Sequence, residues 1–225
     1  MTGGGAYPAK RWLDVAGSLV GLVLTLPLTA LIALAIKLED RGPGLYVQER
    51  LGYGGEPFRL LKFRSMVVGA DRMADGYRIR RGDERITRVG RILRRFSLDE
   101  MPQLVNVLRG QMSLVGPRPA LLRDLERYSE RERRRLDVKP GITGLAQISG
   151  RASIPWRERI SYDLDYVDRA SFLLDLKILA TTVARLFAQR DVYPSQDPWT
   201  PDATGDGSPD SDGDGSPAPD ADAHG

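Results

Sequence analysis

The sequence predicts a mainly helical α+β protein with a membrane-embedded N-terminal helix, a small β-hairpin and amphipathic surface helices. Three observations predict this class. Residues 15–36 form a run of 22 residues without a charged side chain. Two short strand-like runs flank the glycine-rich turn Gly52–Gly55. Several later segments repeat their apolar residues at helical spacing.

The apolar run at residues 15–36 is roughly 33 Å long as a helix, which is enough to cross a bilayer. Basic residues lie on both sides of the run, and the positive-inside rule favours a cytoplasmic position for each. Pro27 removes one backbone hydrogen bond near the middle and predicts a kink there. Charge and Pro27 leave two topologies open, a re-entrant helix and an ordinary spanning helix with a tolerated kink.

Composition divides the chain into an N-terminal segment (1–14), the helix (15–36), a body (37–193) and an acidic tail (194–225). The tail is rich in Asp, Gly, Ser and Pro, cannot bury a core, and is predicted to be disordered. Eight acidic residues and no Lys or Arg follow Pro194. Residues 1–194 therefore carry a net charge of +11, although the net charge of the whole chain is +3. Arg supplies 28 of the 33 basic residues, which favours binding of polyanions, nucleotides or anionic lipid.

Several reaction types are excluded by composition. The chain contains no cysteine, and its single histidine, His224, is the next-to-last residue. A disulfide framework, a thiolate nucleophile, a Ser-His-Asp triad and a His-ligated zinc site in the core are therefore ruled out. The Arg-rich run at 131–135 has no interleaved aromatic residues, so no nucleic-acid partner is predicted.

Spacing and turn residues predict the elements of the body. They predict strands at 45–48 and 58–64, and helices at 90–96, 98–109, 119–138 and 171–187.

Asp99 and Glu100 are adjacent carboxylates at the start of the predicted helix at 98–109. One interpretation is structural: Ser97 and Glu100 have the spacing of a capping box. The other is chemical, because adjacent carboxylates beside arginines can bind a divalent ion and attack phosphorus. A carboxylate is already ionised at neutral pH and needs no base to activate it.

Other cationic positions have two interpretations each. Alternation places Lys62 and Arg64 on one face of their strand, either to hold a pyrophosphate or as a solvated face. Arg118 lies between Pro117 and Pro119, which hold it extended, either for recognition of phosphate or carboxylate or as a plain connecting loop. The pair in residues 163–165 has the D-x-D pattern of metal-dependent glycosyltransferases, but it falls in a helical stretch and is discounted.

Five features in order resemble the bacterial sugar transferase family, the monotopic phosphoglycosyl transferases. The first is the charge-free helix with its central proline. The others are Lys62–Met66, Ser97–Leu104, Ser113–Pro119 and Lys139–Gln147. The likeness covers about residues 7–193.

The resemblance implies transfer of a sugar-1-phosphate from a UDP-sugar to a polyprenol phosphate, with release of UMP, as the first membrane step of exopolysaccharide or other glycan assembly. It implies that Asp99 is the nucleophile of a covalent phosphosugar intermediate and that Asp99 and Glu100 bind Mg²⁺. It also implies a re-entrant helix, and a catalytic domain (37–193) on the cytoplasmic face of the bacterial inner membrane. The expected substrate-binding residues are Lys62, Arg64, Arg94, Pro117, Arg118 and Pro119.

A hypothesis of a different class is a non-catalytic membrane adaptor whose Arg-rich helices bind anionic lipid. It predicts no role for Asp99 beyond capping a helix. Within the enzyme class, the alternative is transfer of the sugar alone, which would release UDP. No residue pattern assigns the sugar, the pathway or the oligomeric state.

Overall fold

The computed structural model describes residues 7–73, 82–150 and 154–187. A long helix is the first element of this part of the chain. Helix α1, Lys10–Asp40, has 31 residues and is apolar and long enough to cross a membrane. It extends beyond the predicted 15–36 at both ends and continues through Pro27. The hydroxyl of Thr25 donates a hydrogen bond of 2.6 Å to the Gly21 carbonyl. The acidic tail lies outside the described residues.

Both ends of α1 are packed against the body. At its N-terminal end, Lys10 and Asp14 are buried, and Asp14 accepts hydrogen bonds from the Ser113 hydroxyl and the Leu114 N–H. Towards its C-terminal end, Ile32 and Ile36 lie in an apolar cluster of the body. The opposite face is apolar and exposed along most of the helix. One face of α1 therefore belongs to the core of the protein while the other is available to lipid.

The predicted β-hairpin is confirmed. Strands β1, Leu45–Leu51, and β2, Pro57–Phe63, pair antiparallel with Leu45 opposite Phe63 and Leu51 opposite Pro57. The turn between them places Gly54 at φ 64° and Gly55 at φ 82°, a conformation that glycine adopts without strain.

A second sheet was not predicted from the sequence. Strands β3, Ser113–Val115, and β4, Gly141–Thr143, pair in parallel, with Ser113 opposite Gly141 and Val115 opposite Thr143. Gly116 follows β3, and a side chain there would collide with the carbonyl of Lys139. Glycine therefore allows the segment at 139–141 to approach closely the point where β3 leads into the Pro117–Pro119 turn.

Helix α2, Arg88–Arg95, begins two residues before the predicted start and is capped by Thr87, whose hydroxyl accepts from the Gly90 N–H at 2.9 Å. The predicted helix at 98–109 is wrong in its first part, which is a 3₁₀ turn, Leu98–Glu100, followed by α3, Gln103–Leu108. Pro102 has no N–H to extend an α-helical hydrogen-bond ladder through this point.

The predicted continuous helix at 119–138 is also wrong. The segment contains two 3₁₀ stretches, Leu122–Arg127 and Arg134–Leu136, separated by the short helix α4, Glu130–Arg133. Ser129 starts α4 as a capping box with Glu132. Tyr128, with φ −77° and ψ 127°, is extended and ends the first stretch, so the helical pattern is interrupted where the chain turns its aromatic ring into the core.

The remaining helices are α5, Leu145–Ser149, α6, Trp156–Arg169, and α7, Phe172–Phe187. The last confirms the predicted helix at 171–187, and the whole confirms a mainly helical α+β fold. Helix α7 contributes Asp175, which is completely buried. Its carboxylate accepts hydrogen bonds from Tyr7 at 2.7 Å and Tyr166 at 2.9 Å, and pairs with Lys10. This buried cluster ties the start of α1 to the end of the described chain.

We expect Asp175→Asn to lower the free energy of unfolding by about 3 kcal/mol, because it leaves the buried Lys10 ammonium without its closest charged partner. Denaturant or thermal unfolding in detergent measures the change. Asp168→Asn is the matched control, since Asp168 pairs with Arg134 and both side chains are about half exposed. An exposed pair contributes about 0–1 kcal/mol, so equal effects of the two variants would contradict the prediction.

Candidate active site

Asp99 follows an unusual backbone conformation. Ser97 has φ 55° and ψ 24°, in the left-handed region, and its side chain makes no capping hydrogen bond. A non-glycine residue in this region carries strain and is found disproportionately at functional sites. The capping-box interpretation of Ser97 and Glu100 is therefore wrong. Instead, the 3₁₀ turn buries Leu98 against the cluster of Phe63 and Leu93 and leaves the two carboxylates that follow for other contacts.

Glu100 is bound by Arg118 rather than by the backbone of its own turn. The Arg118 guanidinium donates to Glu100 Oε1 at 2.6 Å, and the side chains are 56% and 17% exposed respectively. At such exposure an ion pair adds little stability, so its main effect is to orient the two groups. The negative charge of Glu100 raises the pKa of Arg118.

The carboxyl group of Asp99 lies in a mixed electrostatic environment. Burial raises its pKa, and the neighbouring Glu100 raises it further. Lys62, Arg94 and Arg118 act in the opposite direction and stabilise the ionised form. The net shift of the Asp99 pKa is upward, so the cations of the protein do not fully offset burial and the adjacent negative charge. An additional cation would be favourable at this position.

Three separate elements provide the cations around Asp99. Lys62 lies on β2, and burial together with repulsion from Arg50 and Arg118 lowers its pKa to about 8. Arg94 lies in the last turn of α2, where its Nε donates to Ser65 Oγ at 2.8 Å. The 3₁₀ turn packs against both β2 and α2, so tertiary packing assembles a charge cluster from residues far apart in sequence.

The turn that carries Arg118 is fixed by its carbonyl groups. Three consecutive carbonyls each accept a hydrogen bond from a different part of the fold. The bonds are Gly141 N–H to Pro117 O at 2.8 Å, Arg135 to Arg118 O at 3.0 Å and Arg50 to Pro119 O at 3.2 Å. Because the two prolines also fix φ, Arg118 is held by a backbone with little freedom.

Arg64 is placed differently from Lys62. It is buried, pairs with Asp40 at the end of α1, and packs against Gly42. Its Nε and Nη1 atoms have no hydrogen-bond partner within the described residues. Arg64 is thus not among the groups that shift the Asp99 pKa, and its role as a substrate contact stays a prediction.

A cavity of about 260 Å³ lies beside this cluster. Its polar lining comes mainly from the hairpin and α2, and the rest is largely apolar, including Phe63 and Met66. The polar residues are Tyr46, Gln48, Arg50, Lys62, Arg64, Ser65, Asp71 and Arg94. Binding sites for small molecules have about 300–1,000 Å³, so the cavity offers room for part of a substrate next to Lys62 and Arg94.

Some residues around the site were missed by the sequence analysis. Arg50 was not singled out, although it holds the Pro119 carbonyl and borders the cavity. Arg159, on α6, is close enough to Arg118 that repulsion between them contributes to lowering the Arg159 pKa, after burial. The alternation of side chains along β1 was the only sequence pattern that could have indicated Arg50 as a site residue. No local pattern in the sequence indicates Arg159.

The D-x-D pair does not form a metal site. Asp163 is buried against Arg135, whereas Asp165 is partly exposed and pairs with Arg169. Within the described residues there is no group of three or more Asp, Glu, His or Cys side chains arranged to hold a metal ion. A metal at Asp99 and Glu100 would therefore need further ligands from a substrate or water.

Comparison with known proteins gives consistent matches. Residues 6–189 match the family described as "Bacterial sugar transferase". The chain is 47% identical over 192 residues to the UDP-glucose:undecaprenyl-phosphate glucose-1-phosphate transferase of Caulobacter vibrioides, covering 82% of this chain and 72% of that protein. It is 41% identical over 183 residues to the uncharacterized sugar transferase EpsL of Bacillus subtilis, covering 81% and 89%. A protein of Xanthomonas campestris pv. campestris with the same name as the Caulobacter one is 42% identical over 193 residues, covering 82% and 40%.

The lowered pKa of Lys62 predicts unusual reactivity of its amine. Because a lysine loses its charge as pH rises through its pKa, we expect acylation of Lys62 to reach half of its maximal rate near pH 8. Mass spectrometry of protein treated with an amine-reactive anhydride over a pH series measures this midpoint. Arg118→Gln removes a neighbouring positive charge and should move the midpoint upward, whereas Arg131→Gln, at an exposed position, should not. A midpoint for the unaltered protein near the ordinary value of about 10.4 would contradict the prediction.

Proposed function

This chain belongs to the bacterial sugar transferase family, and we propose that it transfers a sugar-1-phosphate from a UDP-sugar to a polyprenol phosphate and releases UMP. The observation that carries the proposal is Asp99, a half-buried carboxylate held among Lys62, Arg94 and Arg118. The names of the relatives support a sugar-phosphate transferase rather than an adaptor, and they make UDP-glucose the first donor to test.

In the first step, a carboxylate oxygen of Asp99 attacks the phosphorus that carries the sugar. A bond forms between that oxygen and phosphorus, and the bond from the same phosphorus to the oxygen of UMP breaks. UMP leaves with the electron pair, and the sugar-phosphate remains as an acyl phosphate on Asp99. A carboxylate is suited to this step because it is ionised without help from a base, and the described part of the chain contains no histidine.

In the second step, a phosphate oxygen of the polyprenol phosphate attacks the same phosphorus. The bond between Asp99 and phosphorus breaks, which regenerates the carboxylate and yields a polyprenyl diphosphate sugar. UMP has left before the lipid reacts, so one cation-lined pocket can serve both substrates in turn.

The cations reduce the repulsion between the Asp99 carboxylate and the negatively charged phosphate that it attacks. Lys62, Arg94 and Arg118 come from three elements that are fixed before the substrate arrives, so their charges need no reorganisation as charge develops on the phosphoryl oxygens. The guanidinium of Arg118 also contacts Glu100. It can therefore hold a substrate phosphate while keeping the second carboxylate oriented.

Asp99 and Glu100 would hold Mg²⁺. The fit rests on two observations: the carboxylates are adjacent, and the Asp99 pKa is raised despite its cationic neighbours. Mg²⁺ is commonly bound by one or two carboxylates together with substrate phosphates and water, which agrees with the absence of a third acidic ligand among the described residues. When bound, the ion supplies further neutralisation of phosphate charge.

We further propose that both ends of α1 lie on the cytoplasmic side of the bacterial inner membrane, as a re-entrant helix does. Lys10 and Asp14 at one end and Asp40 at the other bind groups of the same body. A helix that crossed the bilayer would place its two ends on opposite sides, and one folded body could not bind both. The exposed apolar face between the ends supports insertion of the helix into lipid.

The proposed chemistry predicts that Asp99→Asn reduces UMP release by about 10⁴-fold or more, because the nucleophile is lost. The assay gives purified, detergent-solubilised protein a panel of UDP-sugars, polyprenol phosphate and Mg²⁺, and identifies the nucleotide product. Asp137→Asn, at an exposed position of the body, should retain full activity. Release of UDP by the unaltered protein, or an active Asp99→Asn variant, would overturn the mechanism.

The proposed topology predicts equal sidedness for the two ends of α1. The chain has no cysteine, so single cysteines at the exposed positions Ala9 and Lys37 can be labelled separately with a membrane-impermeant maleimide. We expect both to react in inverted membrane vesicles and neither in intact spheroplasts. Arg131→Cys reports the side of the body. Labelling of Ala9→Cys and Lys37→Cys from opposite sides would show a spanning helix instead.

A further inference from the structure

We propose that Asp163 is a positioning residue for Arg118 and acts through Arg135. The proposal rests on the proposed function, in which Arg118 binds substrate phosphate. Asp163 is the first residue of the D-x-D pattern, whose two carboxylates bind arginines. It lies on α6, 45 positions after Arg118.

Arg135 connects the two residues directly. Its Nη2 donates to Asp163 Oδ2 at 2.5 Å and to the carbonyl of Arg118 at 3.0 Å. Its Nη1 donates to the hydroxyl of Tyr128. Arg135, Asp163 and Tyr128 are each at most 5% exposed, so water does not compete for these bonds.

Aromatic rings fix the plane of the same guanidinium. The central carbon of Arg135 lies 5.4 Å from the ring centroid of Tyr128 and 5.8 Å from that of Trp156. The two rings are nearly parallel, with an interplanar angle of 6°. A guanidinium is planar, so contacts with an aromatic face and a carboxylate fix its orientation. The directions of its remaining N–H groups are then fixed as well. That orientation directs Nη2 to the Arg118 carbonyl.

Stability alone does not account for the buried pair. Removing two charges from water costs more than a well-packed apolar pair would. Here Arg135 Nε and Asp163 Oδ1 have no hydrogen-bond partner among the described residues, which adds to that cost. What the pair provides is a rigid donor at one backbone carbonyl of the Pro117–Pro119 turn.

Arg118 needs such a donor because its side chain is 56% exposed and, among the described residues, forms a hydrogen bond to Glu100 alone. A long exposed side chain is positioned mainly by its backbone. The hydrogen bond to the Arg118 carbonyl sets the orientation of the peptide group between Arg118 and Pro119. Loss of Asp163 frees Arg135 to turn away, and the Arg118 guanidinium then moves relative to Asp99 and the substrate phosphate.

The experiment is a double-mutant cycle in the full-length protein, with steady-state UMP release as the assay. We expect Asp163→Asn to lower kcat/KM by about 100-fold, the loss that a displacement of about 1 Å produces. In the Arg118→Ala background, Asp163→Asn should cause no further loss, because there is no guanidinium left to position. Asp163→Glu should recover part of the activity, since it restores the charge that holds Arg135.

Asp165→Asn is the matched control, because Asp165 lies two residues away on the same helix, is partly exposed, and pairs with Arg169. It should leave kcat/KM unchanged. If Asp163→Asn lowers activity by the same factor with and without Arg118, its role is structural and the proposal is overturned. If it matches Asp165→Asn, the proposal is likewise overturned. Absence of UMP release from the unaltered protein would count against the proposed function instead.

Tyr128→Phe covers the case in which Asp163→Asn does not fold. It removes only the hydroxyl that binds Arg135 and keeps the ring, so the fold should persist as judged by its thermal unfolding. We expect it to lower kcat/KM with Arg118 present and to have no effect in the Arg118→Ala background. Equal effects in both backgrounds would again overturn the proposal.

Discussion

Two neighbouring carboxylates at the end of α1 hold the elements from which the site is built. Glu39 accepts hydrogen bonds of 2.7 and 3.1 Å from the first two N–H groups of α2, the helix that carries Arg94. Asp40 pairs with Arg64, two residues after Lys62. A carboxylate at a helix N-terminus is favourable because the N–H groups there lack partners within the helix. The position of α1 therefore determines where two of the site cations lie, and the site is fixed relative to the exposed apolar face of that helix.

The charges around Asp99, the proposed nucleophile, oppose one another in partly buried surroundings. Burial and the adjacent Glu100 both favour the protonated form of Asp99. Lys62, Arg94 and Arg118 counteract this. Burial, together with repulsion from Arg50 and Arg118, lowers the pKa of Lys62. The cluster thus contains repulsion between its two carboxylates and repulsion among its cations, and attraction between the two groups opposes both. Binding of an anionic substrate relieves the repulsion among the cations, which favours substrate binding at this position.

The sequence predicted the long elements of the fold better than the short turns that carry Asp99 and Arg118. The β-hairpin, α2, α7 and the long apolar helix follow from alternation, helical spacing and composition, which are local. The capping interpretation of Ser97 was wrong because residue type does not reveal its left-handed conformation. The strands β3 and β4 have three residues each, too few for a periodic pattern. The pair of Arg135 and Asp163 joins segments 28 positions apart, and only tertiary packing brings them together.

These failures share a physical cause that bears on how the site works. The segments that hold Asp99 and Arg118 are short turns, and turns have too few internal hydrogen bonds to fix their own conformation. Their geometry is imposed by distant donors, as the three bonds to the carbonyls of Pro117, Arg118 and Pro119 show. A site built this way can place a guanidinium and a carboxylate from remote parts of the chain at 2.6 Å. Its accuracy then depends on residues that never contact the substrate, because those residues replace the hydrogen-bond ladder that a helix or sheet would supply.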